Sequence, residues 1–210
     1  MTYKIILLGP QGSGKGTQAQ ILSKKLGVPA LAMGQLLRDE VAAGSDVGLK
    51  VDGILKSGNL VSDEVAAEVL QARLSRPDAV NGYVLDGYPR NLKQYMAFTF
   101  DAPTHVIVIE VPREESLNRL GGRLTCSTCG AVASTKDGVK VSDACACGGS
   151  FVRRGDDTEA AINRRLDIYD NDTTPMLGKF EEKGVLVRVD GVGTIEEVQA
   201  RIVEKLEMGN

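Results

Sequence analysis

Histidine is almost absent. His105 is the only one among 210 residues, so a mechanism that leans on an imidazole base has little to draw on. Tryptophan is missing and aromatics make up only 4% of the chain, which argues against the aromatic-basic surface of a single-strand nucleic-acid binder. Nor is there an excess of positive charge. Lys and Arg number 25 against 28 Asp and Glu, a formal net charge of −3, so no basic footprint for nucleic acid is expected. No apolar run approaches the roughly 20 residues of a membrane span. Cysteine does not occur outside positions 126–147, and no internal repeat or low-complexity stretch is found. Met1-Thr2-Tyr3-Lys4 runs straight into an apolar segment, so the expectation is a cytoplasmic chain without a leader. At 210 residues there is room for one substantial core with insertions, and too little for two full domains.

What is present is concentrated near the start. Ile5-Ile6-Leu7-Leu8 reads as a buried strand, and Thr17 to Leu26 as a helix closed by Gly27. Between them lies Gly9-Pro10-Gln11-Gly12-Ser13-Gly14-Lys15-Gly16-Thr17, with the spacing G-x-x-x-x-G-K. Glycines let backbone N–H groups converge on an anion, the helix N-terminus adds partial positive charge, and Lys15 supplies a mobile cation. Gly16 stands where most such loops carry a magnesium-binding hydroxyl, which here comes one residue later at Thr17. The stretch points to a bound nucleotide polyphosphate.

Along the chain, strands alternate with helices. Residues 28–33 read as a second strand, followed by short helices around Leu36 to Ala43 and Val47 to Lys56, and by a third helix from Asp63 to Leu74 with Val65, Val69, Leu70 and Leu74 inward. An apolar strand then ends in Asp86. In phosphate-loop proteins an acid at that place faces Mg²⁺, directly or through water. His105 opens the next buried strand and reads as structural. Gly121-Gly122 is hinge-like, and residues 124–152 show little helical periodicity. Helical signal returns at Asp156 and runs to Phe180 with a kink expected at Pro175. A strand over 185–189 and a last helix follow. The capping box Thr194-x-x-Glu197 opens that helix, with Ile195, Val198, Ile202 and Leu206 packed inward. The alternation implies a parallel, doubly wound sheet with its ligand at the strands' C-terminal ends.

Six arginines, Arg38, Arg90, Arg119, Arg123, Arg154 and Arg165, each stand beside a glycine hinge, an acidic pair or a strand end. Together with the phosphate loop they favour phosphoryl transfer, in which positioned cations stabilise charge spreading over the moving group. If the acceptor is itself a phosphate, it is already an anionic nucleophile and no general base is needed.

These motifs resemble the adenylate kinase family over essentially the whole chain: the loop with Gly after its lysine, then Leu85-Asp86-Gly87-Tyr88-Pro89-Arg90 with Gln94, then Arg119, Arg123, Arg154-Gly155-Asp156-Asp157 and Arg165. The resemblance implies an α/β phosphate-loop nucleoside monophosphate kinase fold, a parallel five-stranded sheet flanked by helices. It implies a core of residues 1–32, 62–121 and 158–210, a mobile monophosphate-binding insertion at 33–61 and a mobile lid at 122–157. It implies Mg²⁺-dependent, reversible transfer from ATP to AMP giving two ADP, by a monomer with neither nucleic acid nor membrane as partner. On it, ATP would meet Gly12, Ser13, Gly14, Lys15, Gly16, Thr17, Arg119, Arg123 and Gly193. AMP would meet Met33, Gly34, Arg38, Leu60, Val61, Gly87, Arg90, Gln94, Arg154 and Arg165. Lys15, Asp86, Arg90, Arg123, Arg154 and Arg165 would form the catalytic set.

Two departures touch the AMP side: Met33 replaces a usual threonine that helps hold adenine, and Gln35 a common aspartate. A different base is the nearest alternative. A regulatory GTPase would need an N-K-x-D motif, which is lacking, and a zinc-ribbon nucleic-acid binder fits poorly with the acidic balance. Cys126, Cys129, Cys145 and Cys147 are expected to hold one structural Zn²⁺, because four thiolates close a tetrahedral site and the segment has few apolar residues for a core. Cys145-Ala146-Cys147 is one residue tighter than the usual pair, which leaves open a disulfide or a site of three cysteines with Asp143.

Overall fold

The computed structural model describes residues 2–208. Apolar runs too continuous to face water become the strands of a parallel sheet: β1 (Tyr3–Leu8), β2 (Ala30–Ala32), β3 (Gly82–Asp86), β4 (His105–Glu110) and, late in the chain, β8 (Leu186–Asp190). Their order is β2-β3-β1-β4-β8, with β1 in register from Tyr3 opposite Gly82 to Leu7 opposite Asp86. Alternate residues serve opposite faces. Ile5, Leu7, Val84, Ile107 and Ile109 meet α1 (Lys15–Leu26) and α9 (Ile195–Met208) through Ala19, Leu22, Val198 and Ile202. Ile6, Leu8, Leu85, Val106 and Val108 instead meet α2 (Met33–Ala43), α4 (Asp63–Leu74) and α8 (Thr174–Glu181) through Leu37, Leu70, Met176 and Phe180. From β1 the chain crosses to β2 and returns to β3 on one side, then passes over to β4 on the other, so a crevice opens at the C-terminal end of β1. The glycine loop lies there.

Two segments stand off this sheet. The first pairs α2 with α3 (Asp46–Ser57), which starts on a Ser45 cap to Gly48 N at 3.0 Å. It ends at Gly58, whose φ is +78°; a Cβ there would lie 2.6 Å from the Ala161 carbonyl oxygen on α7 (Glu159–Ile168). Beside it, Arg164 Nε donates to Asn59 Oδ1 at 2.9 Å. The second segment holds β5 (Arg123–Cys126), β6 (Val132–Ser134) and β7 (Phe151–Val152), an antiparallel sheet in the order β6-β5-β7. Leu124 and Cys126 are buried, whereas Val132, Val141 and Val152 are exposed, so this sheet has almost no core of its own. Of the remaining helices, α5 (Leu92–Ala97) follows β3 and α6 (Arg113–Gly121) follows β4. Among the described residues no helix is long and apolar enough to cross a membrane.

Four local expectations need correction. The second strand is only Ala30–Ala32, because Met33 already begins α2. The last strand spans Leu186–Asp190 rather than 185–189. The break near Pro175 begins at Tyr169: a π-turn over Tyr169–Thr173 precedes Pro175, which sits in the first turn of α8 where its missing N–H costs nothing. Ile195 is 50% exposed, whereas Val198 and Ile202 pack inward as expected. It stands one turn before them, at the level where the strands have ended and no sheet remains to cover it. The capping box itself forms, with Thr194 N on Glu197 Oε2 at 2.8 Å and Glu197 N on Thr194 Oγ1 at 3.2 Å.

Candidate active site

The loop's glycines are placed by sterics. A Cβ at Gly9 would lie 2.3 Å from the Ile109 carbonyl oxygen, and one at Gly12 2.9 Å from that of Ser116; both positions have positive φ. Gly14, also at positive φ, turns the chain into α1. Ser13 is buried, and Gly16 and Thr17 follow Lys15 in the first turn of the helix. Lys15 Nζ curls over the loop, donating to the Gly9 oxygen at 2.9 Å, the Pro10 oxygen at 2.8 Å and Ser13 Oγ at 3.4 Å. Burial lowers its pKa to about 8, opposed by the Asp86 carboxylate and reinforced by Arg90, Arg123 and Arg165. Asp86 ends β3, and its Oδ2 lies 3.4 Å from where a Cβ of Gly16 would be. A carboxylate thus sits against the first turn of α1 beside the lysine, the kind of oxygen donor that suits Mg²⁺.

Four arginines converge on two adjacent carboxylates. Arg123 grips Asp157 with Nε–Oδ2 at 2.8 Å and Nη2–Oδ1 at 2.5 Å. Arg154 forks onto Asp156 at 2.9 and 2.7 Å. Arg165 reaches both acids, Asp156 Oδ2 at 3.2 Å and Asp157 Oδ1 at 2.9 Å, and the Asp156 carbonyl oxygen at 2.6 Å. Arg38, from the α2–α3 segment, comes within 3.8 Å of Asp156 Oδ2. Burial would raise the Asp156 carboxyl, but the hydrogen bonds and charge of Arg154, with Arg165 and Arg38, hold it at about 2. Asp157 is likewise lowered: burial opposes, and Arg123 prevails. The arginines feel their crowding, since burial lowers Arg90 and Arg123, and takes Arg38 to about 10.

Arg90 folds back on its own turn. Its Nε donates to the Gly87 oxygen at 2.7 Å, and a Cβ at Gly87 would stand 2.9 Å from Nη2, so glycine there admits the guanidinium. Its backbone N–H donates to the side-chain Oε1 of Gln94 at 2.8 Å, and its carbonyl oxygen accepts from Thr173 Oγ1 at 2.7 Å. Gln94 is buried, with its amide oxygen turned to Arg90. Met33 is buried in the apolar cluster with Leu37 and Val61, and Leu60 is half-buried beside it in sequence. Gly34 lies under Arg38.

At the far end of the crevice, Arg119 is held by Glu115 Oε1 at 2.6 Å and by the Gly191 oxygen at 3.1 Å. The loop it reaches continues through Val192 and Gly193 to Ile195, and both apolar side chains there are exposed. Glu115 and the acceptor role of the acidic pair went unassigned in the sequence. The four-residue spacing from Glu115 to Arg119 was a legible signal.

The four cysteines come together. Their sulfurs all lie within 4.8 Å of one another, with Cys126–Cys147 at 3.5 Å and Cys129–Cys145 at 3.7 Å. Tetrahedral zinc with bonds of about 2.3 Å would separate its sulfurs by about 3.8 Å, so the set fits. Thr128 N donates to Cys126 Sγ at 3.4 Å, and a Cβ at Gly149 would stand 2.8 Å from that sulfur. Asp143 stays out of the cluster, its Oδ2 accepting the Lys140 N–H at 2.7 Å. His105 opens β4 at the opposite end of the sheet, with Nδ1 3.0 Å from Thr104 Oγ1, consistent with a structural residue.

The family described as Adenylate kinase matches residues 7–185. The chain is 38% identical over 203 residues to the adenylate kinase of Moorella thermoacetica, covering 93% of this chain and 94% of that one. It is 40% identical over 209 residues to that of Rhizobium etli, covering 95% and 96%. With that of Syntrophobacter fumaroxidans it shares 40% over 206 residues, covering 94% and 97%.

Proposed function

The chain belongs to the adenylate kinase family, whose reaction turns ATP and AMP into two ADP with Mg²⁺ accompanying ATP, and from that premise we propose how its residues share the work. The observation that carries the reading is the cage around Asp156 and Asp157. Arg38, Arg123, Arg154 and Arg165 are pre-gathered there within reach of the Lys15 loop's charge. Six cations, counting Lys15 and Arg90, face three carboxylates, counting Asp86. The surplus of positive charge is what nucleotide phosphates would neutralise.

In this reading the backbone from Gly12 to Thr17 and Lys15 hold the ATP phosphates. Asp86 would hold the Mg²⁺ that accompanies ATP, an ion that would supply charge neutralisation at the phosphates. Arg38 and Arg90 clamp the AMP phosphate, whose oxygen attacks the γ phosphorus. The bond from that phosphorus to the β–γ bridging oxygen breaks, and its electrons leave on ADP. The attacking oxygen is already anionic, so no proton needs to be taken. Arg123, Arg154 and Arg165 exchange their carboxylate partners for the moving phosphoryl oxygens, with little reorganisation because they are already in place. Gln94 reads the adenine of AMP; Arg119 stacks on that of ATP, whose edge meets the backbone near Gly193.

Residues 33–61 close over AMP and residues 122–157 over ATP, on the core of 1–32, 62–121 and 158–210. Closure expels water and suppresses hydrolysis. Cys126, Cys129, Cys145 and Cys147 would hold one Zn²⁺ that replaces the missing core of the 122–157 sheet. We take the enzyme to be a cytoplasmic monomer acting on free nucleotides.

The test is an assay of purified protein with Mg²⁺-ATP across the nucleoside monophosphates. AMP should give ADP reversibly, and Arg123→Ala should lower kcat on the order of 10²-fold, as loss of a transition-state donor does. Turnover with UMP or CMP but none with AMP would reassign the substrate.

A further inference from the structure

Gln35 lies on the exposed face of α2, and its amide is caught between two charged neighbours. Its Oε1 accepts from Arg38 Nη2 at 2.9 Å and Nε at 3.3 Å, while its Nε2 donates to Asp39 Oδ1 at 2.7 Å. A carboxylate only accepts and a guanidinium only donates. An amide between them has one way to lie, nitrogen toward Asp39 and oxygen toward Arg38. Asp39 therefore sets the direction of Gln35, and Gln35 sets the direction of Arg38. Gly34 completes the seat, because a Cβ there would stand 3.3 Å from Arg38 Nη1. That nitrogen looks toward Asp156 Oδ2 at 3.8 Å, too far for a hydrogen bond. Arg38 is thus fixed through two nitrogens by a neutral oxygen, and it keeps both its charge and its third nitrogen for a ligand.

We propose that Gln35 is a positioning residue for the acceptor phosphate. The relay Asp39–Gln35–Arg38 aims the guanidinium at the phosphate of AMP without neutralising it. This rests on the reading that Arg38 clamps that phosphate. A glutamate at position 35 has the reach of Gln35 and would hold Arg38 as firmly, but it would pair off the charge that the phosphate needs; the aspartate common in the family is one methylene shorter. What matters is which end of the relay carries the negative charge, and this distinguishes the proposal from a structural role on the helix surface.

The decisive variant is the swap Gln35→Glu with Asp39→Asn. It preserves the net charge and a hydrogen bond between positions 35 and 39, and moves only the carboxylate next to Arg38. The Kd of AMP by calorimetry and its KM should both rise about tenfold, the size of one charge-assisted hydrogen bond. The KM for ATP and the kcat should stay within about twofold, and the melting temperature should hold, since both positions are exposed. Should the swap not fold, Gln35→Glu alone carries the same expectation. Gln35→Ala, which frees Arg38 but leaves it charged, should raise the KM for AMP by a smaller factor. If Arg38→Ala weakens AMP while the swap leaves it within about twofold of the parent, the relay is idle and the proposal falls. If Arg38→Ala itself leaves AMP binding unchanged, the clamp reading fails first.

Discussion

Raising the pH should disarm the ATP site before it harms the fold, and Lys15 is the reason. Its ammonium is buried and satisfied by the Gly9 and Pro10 carbonyls at 2.9 and 2.8 Å, yet burial among Arg90, Arg123 and Arg165 lowers its pKa to about 8. An unfolded lysine titrates near 10.4. Above about pH 8 the free enzyme loses the cation that meets the ATP phosphates, so kcat/KM for ATP should fall about tenfold per pH unit. Bound phosphates restore negative charge beside Lys15 and lift its pKa. kcat at saturating ATP should therefore bend only at higher pH. Stability runs the other way. A base depressed in the fold holds fewer protons there than in the unfolded chain between about pH 8 and 10.4. Its desolvation cost of about 3 kcal/mol is therefore present below pH 8 and relieved as the pH rises through that window. Burial pushes Tyr88 and Tyr169 up to about 12, and Tyr83 up as well, so they do not confuse the window. The assay is a coupled pH profile of kcat and kcat/KM alongside Lys15→Arg, whose guanidinium stays charged and whose profile should lose the alkaline limb. A flat kcat/KM for ATP to about pH 9.5, or an unchanged limb in Lys15→Arg, would refute the argument.

Protein purified without added metal should contain close to one zinc per chain. A chelator should lower the melting temperature, because the 122–157 sheet buries little besides Leu124 and Cys126. Elemental analysis and paired melts check this, and zinc-free protein with identical melts would end it. Met33→Thr trades a core side chain for a hydroxyl. It should cost on the order of 1–3 kcal/mol in a denaturant titration. If position 33 faces adenine it should still lower the KM for AMP two- to tenfold, the worth of one hydrogen bond. At the acid end, Asp156 near 2 and the lowered Asp157 stabilise the fold above their unfolded value near 3.9. That contribution drains as the pH falls from about 4 toward 2, and melts of Asp156→Asn should show a flatter dependence over that interval.

The loop, the buried strands and the capping box were legible because each follows a local rule: glycine at positive φ, unbroken apolar runs, and Thr194 three residues before Glu197. The cysteines were legible as a group. The tight Cys145-Ala146-Cys147 pair still forms its half of the cluster, because residues 145–148 make a turn, closed by the Gly148 N–H on the Cys145 carbonyl oxygen at 2.9 Å with Gly148 at φ +87°, that brings both sulfurs to the same side. Other features depend on where the chain ends up in space. Nothing local to Ile195 says that the sheet has ended beneath it. The π-turn before Pro175 joins α7, which packs Ile162 and Leu166 on Leu120, to α8, which packs Met176 and Phe180 on the sheet. The gathering of Arg38 with Arg154 and Arg165 on Asp156 joins residues more than a hundred positions apart, and spacing along the sequence carries no trace of it.

Gly58 works as a fulcrum. It is where the α2–α3 hairpin rests on α7, with bare backbone against backbone and the space of a methyl group already filled by the Ala161 carbonyl. Arg38 rides on the other arm of that hairpin. A displacement of a few tenths of an ångström at the pivot is magnified along the arm before it reaches the guanidinium. A single added carbon at position 58 would therefore shift Arg38 relative to Asp156. The accuracy with which the acceptor is aimed is set by the absence of one atom at the other end of the lever.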